Sequence, residues 1–428
     1  MIAIIGAGVS GLSCAWWLRE RGARVTVFET GAEVGGKVRS EAGEALREAG
    51  PHTLLADEEL LDWMRRLGLS PVWPDPAGEA RHVLLNGRYR ALPSGALGLL
   101  GGNLLSWGGK LDLLRGILKA GSQGEGDLSL EAFCRARFGD EAFVRLLEPA
   151  VNGIFAGDAR ELVLRETMPG LAVAAESGRS LWRGMLRGSA RRRRSCYLSG
   201  GLQQLPRRLA RDLDVRLNAE VTALRRDGEG WLLRTGGRWE QAEQVVLALP
   251  AKAAAALLHP LRPEVADICR RIPYAAMAVV STLLEDDALE KPLPGAGALH
   301  PSAEESVALG HLLVSNSYPE VCDKGYRLMS SFIGGRRHPE RLEWPDERLL
   351  AELNRELEER FGLRGSPAEQ RVVRWREALP QGTALQGRLR SALAPLQAKG
   401  LHVCANWLDG VSLADCLRKG RKLAEQLA

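Results

Sequence analysis

The first 29 residues constrain the fold more than any other part of the chain. A wholly apolar run, Ile2 to Ile5, passes without a spacer into GAGVSGL and then SCAWWLRERG, and a second run, RVTVF from Arg24 to Phe28, ends on the acid Glu29. Four apolar residues bounded by glycine suit a strand covered on both faces, and Leu18 with the preceding Trp pair suits a packed helix. Strand, tight turn, helix and second strand form a βαβ unit of a parallel sheet. Gly6, Gly8 and Gly11 spell GxGxxG at its first turn. The first permits the turn, the second lets backbone approach a pyrophosphate, and the third lets helix and strand pack closely. The helix start then faces phosphate charge, and Glu29 accepts hydrogen bonds from ribose hydroxyls. This predicts a dinucleotide site without choosing between NAD and FAD.

A chain of 428 residues has room for two or three domains. With 45% apolar and 26% charged residues it is neither a disordered tail nor a small disulfide scaffold. The formal net charge of +5 gives no argument for nucleic acid, and no aromatic-interleaved basic module accompanies it. Seven cysteines lie far apart with no CxxC spacing, which points to a reducing compartment, and the histidines show no metal-ligand spacing, so no metal is expected. The start shows no basic leader, and no window offers 18 uninterrupted apolar residues. A cytoplasmic protein is expected.

Further along, AEVGGKVRS is a Gly-rich turn flanked by basic residues, and ALPSGALGLLGGNLLSWGGKLDLLRGILKA (91–120) is Leu-rich and poor in acid. Arg191 to Arg194 reads as a surface loop. YAAMAVVSTLL, LGHLLVSNS and YRLMSSFIGG read as antiparallel strands of a second sheet, and 346–361 as an amphipathic helix. LHVCANWLDGVSLADCLRKGRKLAEQL reads as strand, glycine turn and terminal helix. No linker separates these parts, so the domains are expected to interleave.

The opening GAGVSGLSCAWWLRERGARVTVFETGAEVGGKVRS resembles the FAD-binding start of the amine oxidase and phytoene desaturase superfamily, with Gly35 and Gly36 as its second glycine pair. CANWLDGVSLADCLRKGRKLAEQL resembles the closing flavin motif of that superfamily. LLEPAVNGIFAGDARELVLRETMP, YLSGGLQQLPRRLA and VVRWREALPQG are similar to segments of protoporphyrinogen oxidases and their coproporphyrinogen-oxidising relatives. The resemblance implies an α/β plus α+β fold: a discontinuous Rossmann-like FAD domain (1–80, 195–255 and 370–428), a substrate-binding sheet (mainly 256–369) and a helical domain (85–190) able to dock on a membrane. It places FAD contacts on Gly6, Gly8, Gly11, Glu29, Gly35, Gly36, Lys37, Val221, Trp375, Gly410, Val411 and Ser412. Lys37 replaces an Arg common after the glycine pair but keeps the charge. Several relatives carry an Arg a few residues after the Pro of ALPSGALG, where this chain has Ala96 and Leu97; Arg90 or Arg115 then stands as a carboxylate partner.

The resemblance implies oxygen-dependent, six-electron oxidation of protoporphyrinogen IX or coproporphyrinogen III to the porphyrin in heme biosynthesis, by hydride transfer to FAD with H2O2 formed. Another flavin desaturase or amine oxidase is the alternative, and a flavoprotein without turnover a further one. Candidate substrate contacts are Arg90, Asn152, Phe155, Leu312, Leu313 and Met329, although packing explains the apolar members as well. No side chain stands out as catalytic. The Leu-rich 91–120 segment and the Arg191 run suggest peripheral contact with the inner face of the cell membrane; oligomeric state is open.

Overall fold

The computed structural model describes residues 1–93, 98, 101–181 and 193–428. Positions Ala96 and Leu97, and Arg191 and Arg192 of the arginine run, lie outside them. Arg194 opens a strand, Arg194–Leu198, with its guanidinium over Trp73 at 4.2 Å, instead of belonging to a loop.

The first strand, Ile2–Ile5, is the middle of a five-stranded parallel sheet. Val25–Phe28 and Asp214–Arg216 lie on one side of it, Gln244–Leu247 and Leu401–Val403 on the other. Its residues are fully buried because helices cover both faces. On one face pack Leu12, Ala15 and Leu18 of the first helix (Val9–Glu20), with Leu417 and Ala424 of the last (Leu413–Leu427). On the other pack the Ala251–Leu258 and Pro263–Arg271 helices together with Leu389 and Leu393.

A seven-stranded mixed sheet forms the second layer. The order is Glu369–Pro380, Tyr274–Glu285, Tyr326–Gly334, Ala308–Leu313, Gly297–Leu299, Arg81–Leu85 and Arg88–Leu92. The three strands read from the sequence are antiparallel neighbours. The domain limits drawn from the sequence change here. Residues 81–92 belong to this sheet instead of preceding or opening a helical domain, and the strand from Glu369 is its edge, not part of the parallel-sheet domain. The reason is hydrogen bonding: these strands have ladder partners only in this sheet.

The period of two along each strand sorts side chains to opposite faces. Ala278, Val280, Met329, Ile333 and Leu313 pack under the amphipathic helix Asp346–Phe361 through Leu349, Leu353 and Leu357. The other face turns toward the parallel-sheet domain and the helical segment 101–181, whose own core holds Phe133, Phe138, Phe143 and Leu164. Among the described residues, no helix is long and apolar enough to cross a membrane.

Candidate functional site

The GxGxxG turn is built as its three glycines require. Gly6 has φ +108°, and a Cβ there would lie 2.5 Å from the Ala248 carbonyl oxygen; at Gly11 a Cβ would lie 2.2 Å from the Gly6 carbonyl oxygen. Gly8 differs: a Cβ built on it meets nothing within 4 Å. Its backbone is exposed to open space at the start of the first helix, and no side chain caps that helix. Uncapped N–H groups at a positive dipole end, beside an open glycine, form a cradle for a pyrophosphate. The Gly35–Gly36 turn closes over it: Gly35 N donates to Ala7 O at 2.9 Å, and Gly35 bridges Gly8.

Glu29 ends the second strand and accepts from Ala7 N at 2.7 Å and Gly31 N at 2.8 Å. A carboxylate has about four acceptor sites, so capacity for ribose hydroxyls remains. Ala219 N donates to the Glu29 carbonyl at 2.8 Å, which brings Val221, at the start of the Val221–Asp227 strand, beside the same corner.

The carboxyl-terminal motif joins the cradle through helix pairing. Ser13 Oγ donates to Leu417 O at 2.7 Å, Arg421 lies over Trp17, and Arg21 pairs with Glu425. The contacts advance together along both helices, so the two run parallel with their N-termini at the same end. Ser412 caps the last helix in a capping box with Asp415. Lys419 Nζ donates to the carbonyls of Ala405, Leu408 and Gly410, holding the turn in which Gly410 has φ +108°. Gly410, Val411 and Ser412 therefore stand next to Gly8 through packing, not through sequence proximity. The residues assigned to FAD fit that group: an anion cradle, a ribose acceptor and a second helix start converge.

The inner face of the seven-stranded sheet lies across from the cradle. The register puts Trp375, Met277 and Gly334 on one row, Val373, Val279 and Phe332 on the next, then Ser281 with Ser330 and Leu312. Trp375 Nε1 donates to Ala49 O at 2.6 Å, tying this face to the segment after the second glycine pair. His52 of that segment donates from Nδ1 to the Gly50 carbonyl and accepts at Nε2 from Ser330, each at 2.9 Å, with its ring edge-on to Phe332. Burial pulls its pKa down to about 4, leaving a neutral imidazole.

The same register sorts the candidate substrate residues. Leu312 and Arg90 share the inner face, Arg90 opposite Val83 and toward the helical segment. Leu313 and Met329 do not: each is one residue out of phase and lies in the core beneath Asp346–Phe361, so both are corrected to packing residues. Asn152 is buried and donates to Glu148 Oε1 at 2.8 Å, while Arg337 pairs with the same carboxylate at 3.1 Å. That network holds the Glu148–Phe155 helix to the sheet and occupies Asn152 structurally. Phe155 is half-buried against the helical core, and its carbonyl accepts from Gln381. Arg115 is exposed beside Asp112 and far out of phase with the inward Leu113 and Ile117, which removes it as a carboxylate partner.

Two buried groups had no sequence signal. His300, His311 and Glu356 converge beneath the Asp346–Phe361 helix, although the histidines show no metal-ligand spacing along the sequence. Their positions share no local spacing; strand pairing brings them together. Every ring nitrogen is occupied, by Ala308 O, Tyr89, Ser331 and Glu356, so the group serves as a buried polar network. Glu48 accepts from Tyr197 OH at 2.7 Å, Leu202 N at 2.9 Å and Ser40, clasping YLSGGLQQL to the loop after Gly36.

Comparison with known proteins agrees with this arrangement. The model of the family "Flavin containing amine oxidoreductase" matches residues 9–428. Protoporphyrinogen oxidase 2 of Arabidopsis thaliana is 27% identical over 99% of this chain and 93% of its own length. Coproporphyrinogen III oxidase of Propionibacterium freudenreichii is 28% identical over 100% and 90% respectively. A solved structure described as a candidate protoporphyrinogen oxidase from Exiguobacterium sp. 255-15 superposes with a TM-score of 0.83 at 22% identity, covering 100% of this chain and 98% of that one. A putrescine oxidase structure gives 0.76 at 19% identity over the same shares, which shows a common fold. The chain therefore belongs to the flavin-containing amine oxidoreductase family and is an FAD-dependent oxidoreductase related to the protoporphyrinogen and coproporphyrinogen III oxidases.

Proposed function

We propose that this enzyme oxidises a porphyrinogen, protoporphyrinogen IX or coproporphyrinogen III, to the porphyrin with O2 as acceptor. The observation that carries the reading is the character of the inner sheet face nearest the cradle. Met277, Val279, Phe332 and Leu312 line it, and its histidine, His52, is held neutral by burial. A substrate oxidised there must lose C–H hydrogen with little help from acid or base groups. A porphyrinogen does so, because pyrrole nitrogens assist loss of hydride from a meso carbon and aromatisation drives the whole.

Bound FAD supplies a two-electron acceptor that O2 regenerates with release of H2O2. Over three rounds three hydrides leave meso carbons and three protons leave with them, one from the remaining meso carbon and two from pyrrole nitrogens, so that the porphyrinogen and three O2 give the porphyrin and three H2O2. The protein's share is positioning and dryness. Phe332 and Met277 present apolar surface to the macrocycle, Trp375 and His52 brace that surface through their bonds to Ala49, Gly50 and Ser330, and Arg90 stands on the same face as a partner for a propionate.

Peripheral docking on the inner face of the membrane belongs to the same reading. In the Trp107–Leu118 helix, Leu113 and Ile117 face the helical core. Trp107, Leu111, Leu114 and Leu118 form a solvent-facing stripe, with Trp107 83% exposed. Arg115 and Lys119 flank the stripe, as suits a helix lying in an anionic headgroup layer.

The test is porphyrin fluorescence after adding the FAD-loaded chain to freshly reduced protoporphyrinogen IX and, separately, coproporphyrinogen III in air. Emission above the enzyme-free rate with matching H2O2 is expected, and the faster substrate identifies the physiological one. No excess for either would reject the reading and favour oxidation of an amine or hydrocarbon.

A further inference from the structure

The edge strand Glu369–Pro380 is irregular where it passes the cradle. Ala275 pairs with Leu379 and Met277 with Trp375, so Ala276 alone faces Arg376, Glu377 and Ala378. Such a bulge takes backbone groups off the ladder, and here the strand has no second neighbour to accept them. The missing donor comes from elsewhere in the chain. Lys37, directly after the second glycine pair, donates from Nζ to the Glu377 carbonyl and to the Ala378 carbonyl, the latter at 3.0 Å. Its ammonium also lies 5.2 Å from the centre of the Tyr274 ring. The charge that the resemblance places among the FAD contacts is thus committed to the sheet.

We propose that Lys37 is a positioning residue that pins the Glu377–Ala378 bulge to the Gly35–Gly36 turn, and thereby sets how the cofactor cradle meets the inner sheet face. Trp375, two residues before the bulge, is bonded to Ala49, so both ends of the segment following the glycine pair are fastened to one strand. Release of the Lys37 contact would leave two carbonyls unpaired and free the turn that closes over Gly8. The inference concerns cofactor retention and holds for any substrate.

The groups around the ammonium predict a pH response. Burial lowers the Lys37 pKa to about 8, and the Glu377 carboxylate and Cys416 on the last helix push it back up. Tyr274 on the neighbouring strand adds a ring face, and Lys252 draws the Glu377 carboxylate away at 2.7 Å. A lysine there loses its charge in mildly alkaline solution, whereas an arginine would keep it.

The experiment measures the FAD dissociation constant by flavin fluorescence from pH 7 to 9.5 for the wild-type chain, Lys37→Arg and Lys37→Met. Lys37→Met is expected to bind FAD about tenfold more weakly at pH 7, with Lys37→Arg near wild type. The wild-type constant should rise above pH 8 while that of Lys37→Arg stays flatter. Wild-type affinity in Lys37→Met, failure of Lys37→Arg to rescue, or identical pH curves for wild type and Lys37→Arg would each overturn the proposal. Should Lys37→Met fail to fold, the comparison of wild type with Lys37→Arg decides alone.

Discussion

Gly420 of the last helix lies against Cys14 of the first so closely that a Cβ on Gly420 would come within 2.6 Å of the Cys14 backbone nitrogen. Residues from opposite ends of the chain thereby become one wall of the cradle. Gly420→Ala gains about 1 kcal/mol of helix propensity, but the Cys14 backbone nitrogen at 2.6 Å and the Ser13 Cβ at 2.7 Å leave the added methyl no room, so the helices must move apart. A net loss of about 1–3 kcal/mol is expected, with weaker FAD retention because the two helix starts separate. Thermal unfolding followed by circular dichroism checks this; an unchanged or raised Tm would show that the helices can shift at no cost.

Gly8 and Gly6 separate cofactor space from fold space. Gly8→Ala adds a methyl where nothing lies within 4 Å, in an extended conformation open to any residue, so the cofactor-free chain should stay within about 0.5 kcal/mol of wild type. FAD affinity should nevertheless fall roughly tenfold or more, since the methyl takes the approach path of the pyrophosphate. Gly6→Ala should lower stability even without FAD, because φ +108° and the Ala248 carbonyl both oppose a side chain. Equal effects of the two substitutions on the cofactor-free Tm would contradict this division.

Burial holds the Glu48 carboxyl up at about 7, against hydrogen bonds from Leu202, Tyr197 and Ser40 that favour its ionised form. The folded chain thus retains a proton that the unfolded chain releases near pH 4.5. This group's contribution to stability is greatest below the unfolded value and declines as pH rises toward 7, by about 3 kcal/mol in all. Glu48→Gln carries no titrating group, so its Tm should change less than that of wild type between pH 5 and 7. Parallel curves for the two proteins would remove Glu48 as the source.

The stripe on the Trp107–Leu118 helix predicts sedimentation with anionic liposomes. Replacing Trp107, Leu111 and Leu118 together by serine should reduce the bound fraction severalfold, while the far-UV spectrum is retained because these side chains face solvent. Equal sedimentation of wild type with and without liposomes would discard the docking proposal.

Much of the site was legible because its signals are local. Gly6, Gly8, Gly11 and Glu29 stand within one βαβ unit, where spacing along the chain is also spacing in three dimensions. The Asp346–Phe361 helix was legible with its boundaries because its apolar period repeats over several turns. Leu313 and Met329 were misread because an apolar strand residue looks the same on either face; only register against neighbouring strands sorts it inward or outward. His300, His311 and Glu356 met without warning for the same reason, since the contact exists only after strands pair and a helix covers them.

The sequence by itself determined the parallel βαβ core, the dinucleotide cradle and the acid at its corner, since the steric demands of glycine and the period of a buried strand operate within a few residues. Tertiary structure alone decided that residues 81–92 and the strand from Glu369 join one sheet, and that the Lys37 ammonium fastens a bulge on that sheet. These depend on which distant backbone groups are left without partners, and that is settled only when the whole chain has packed.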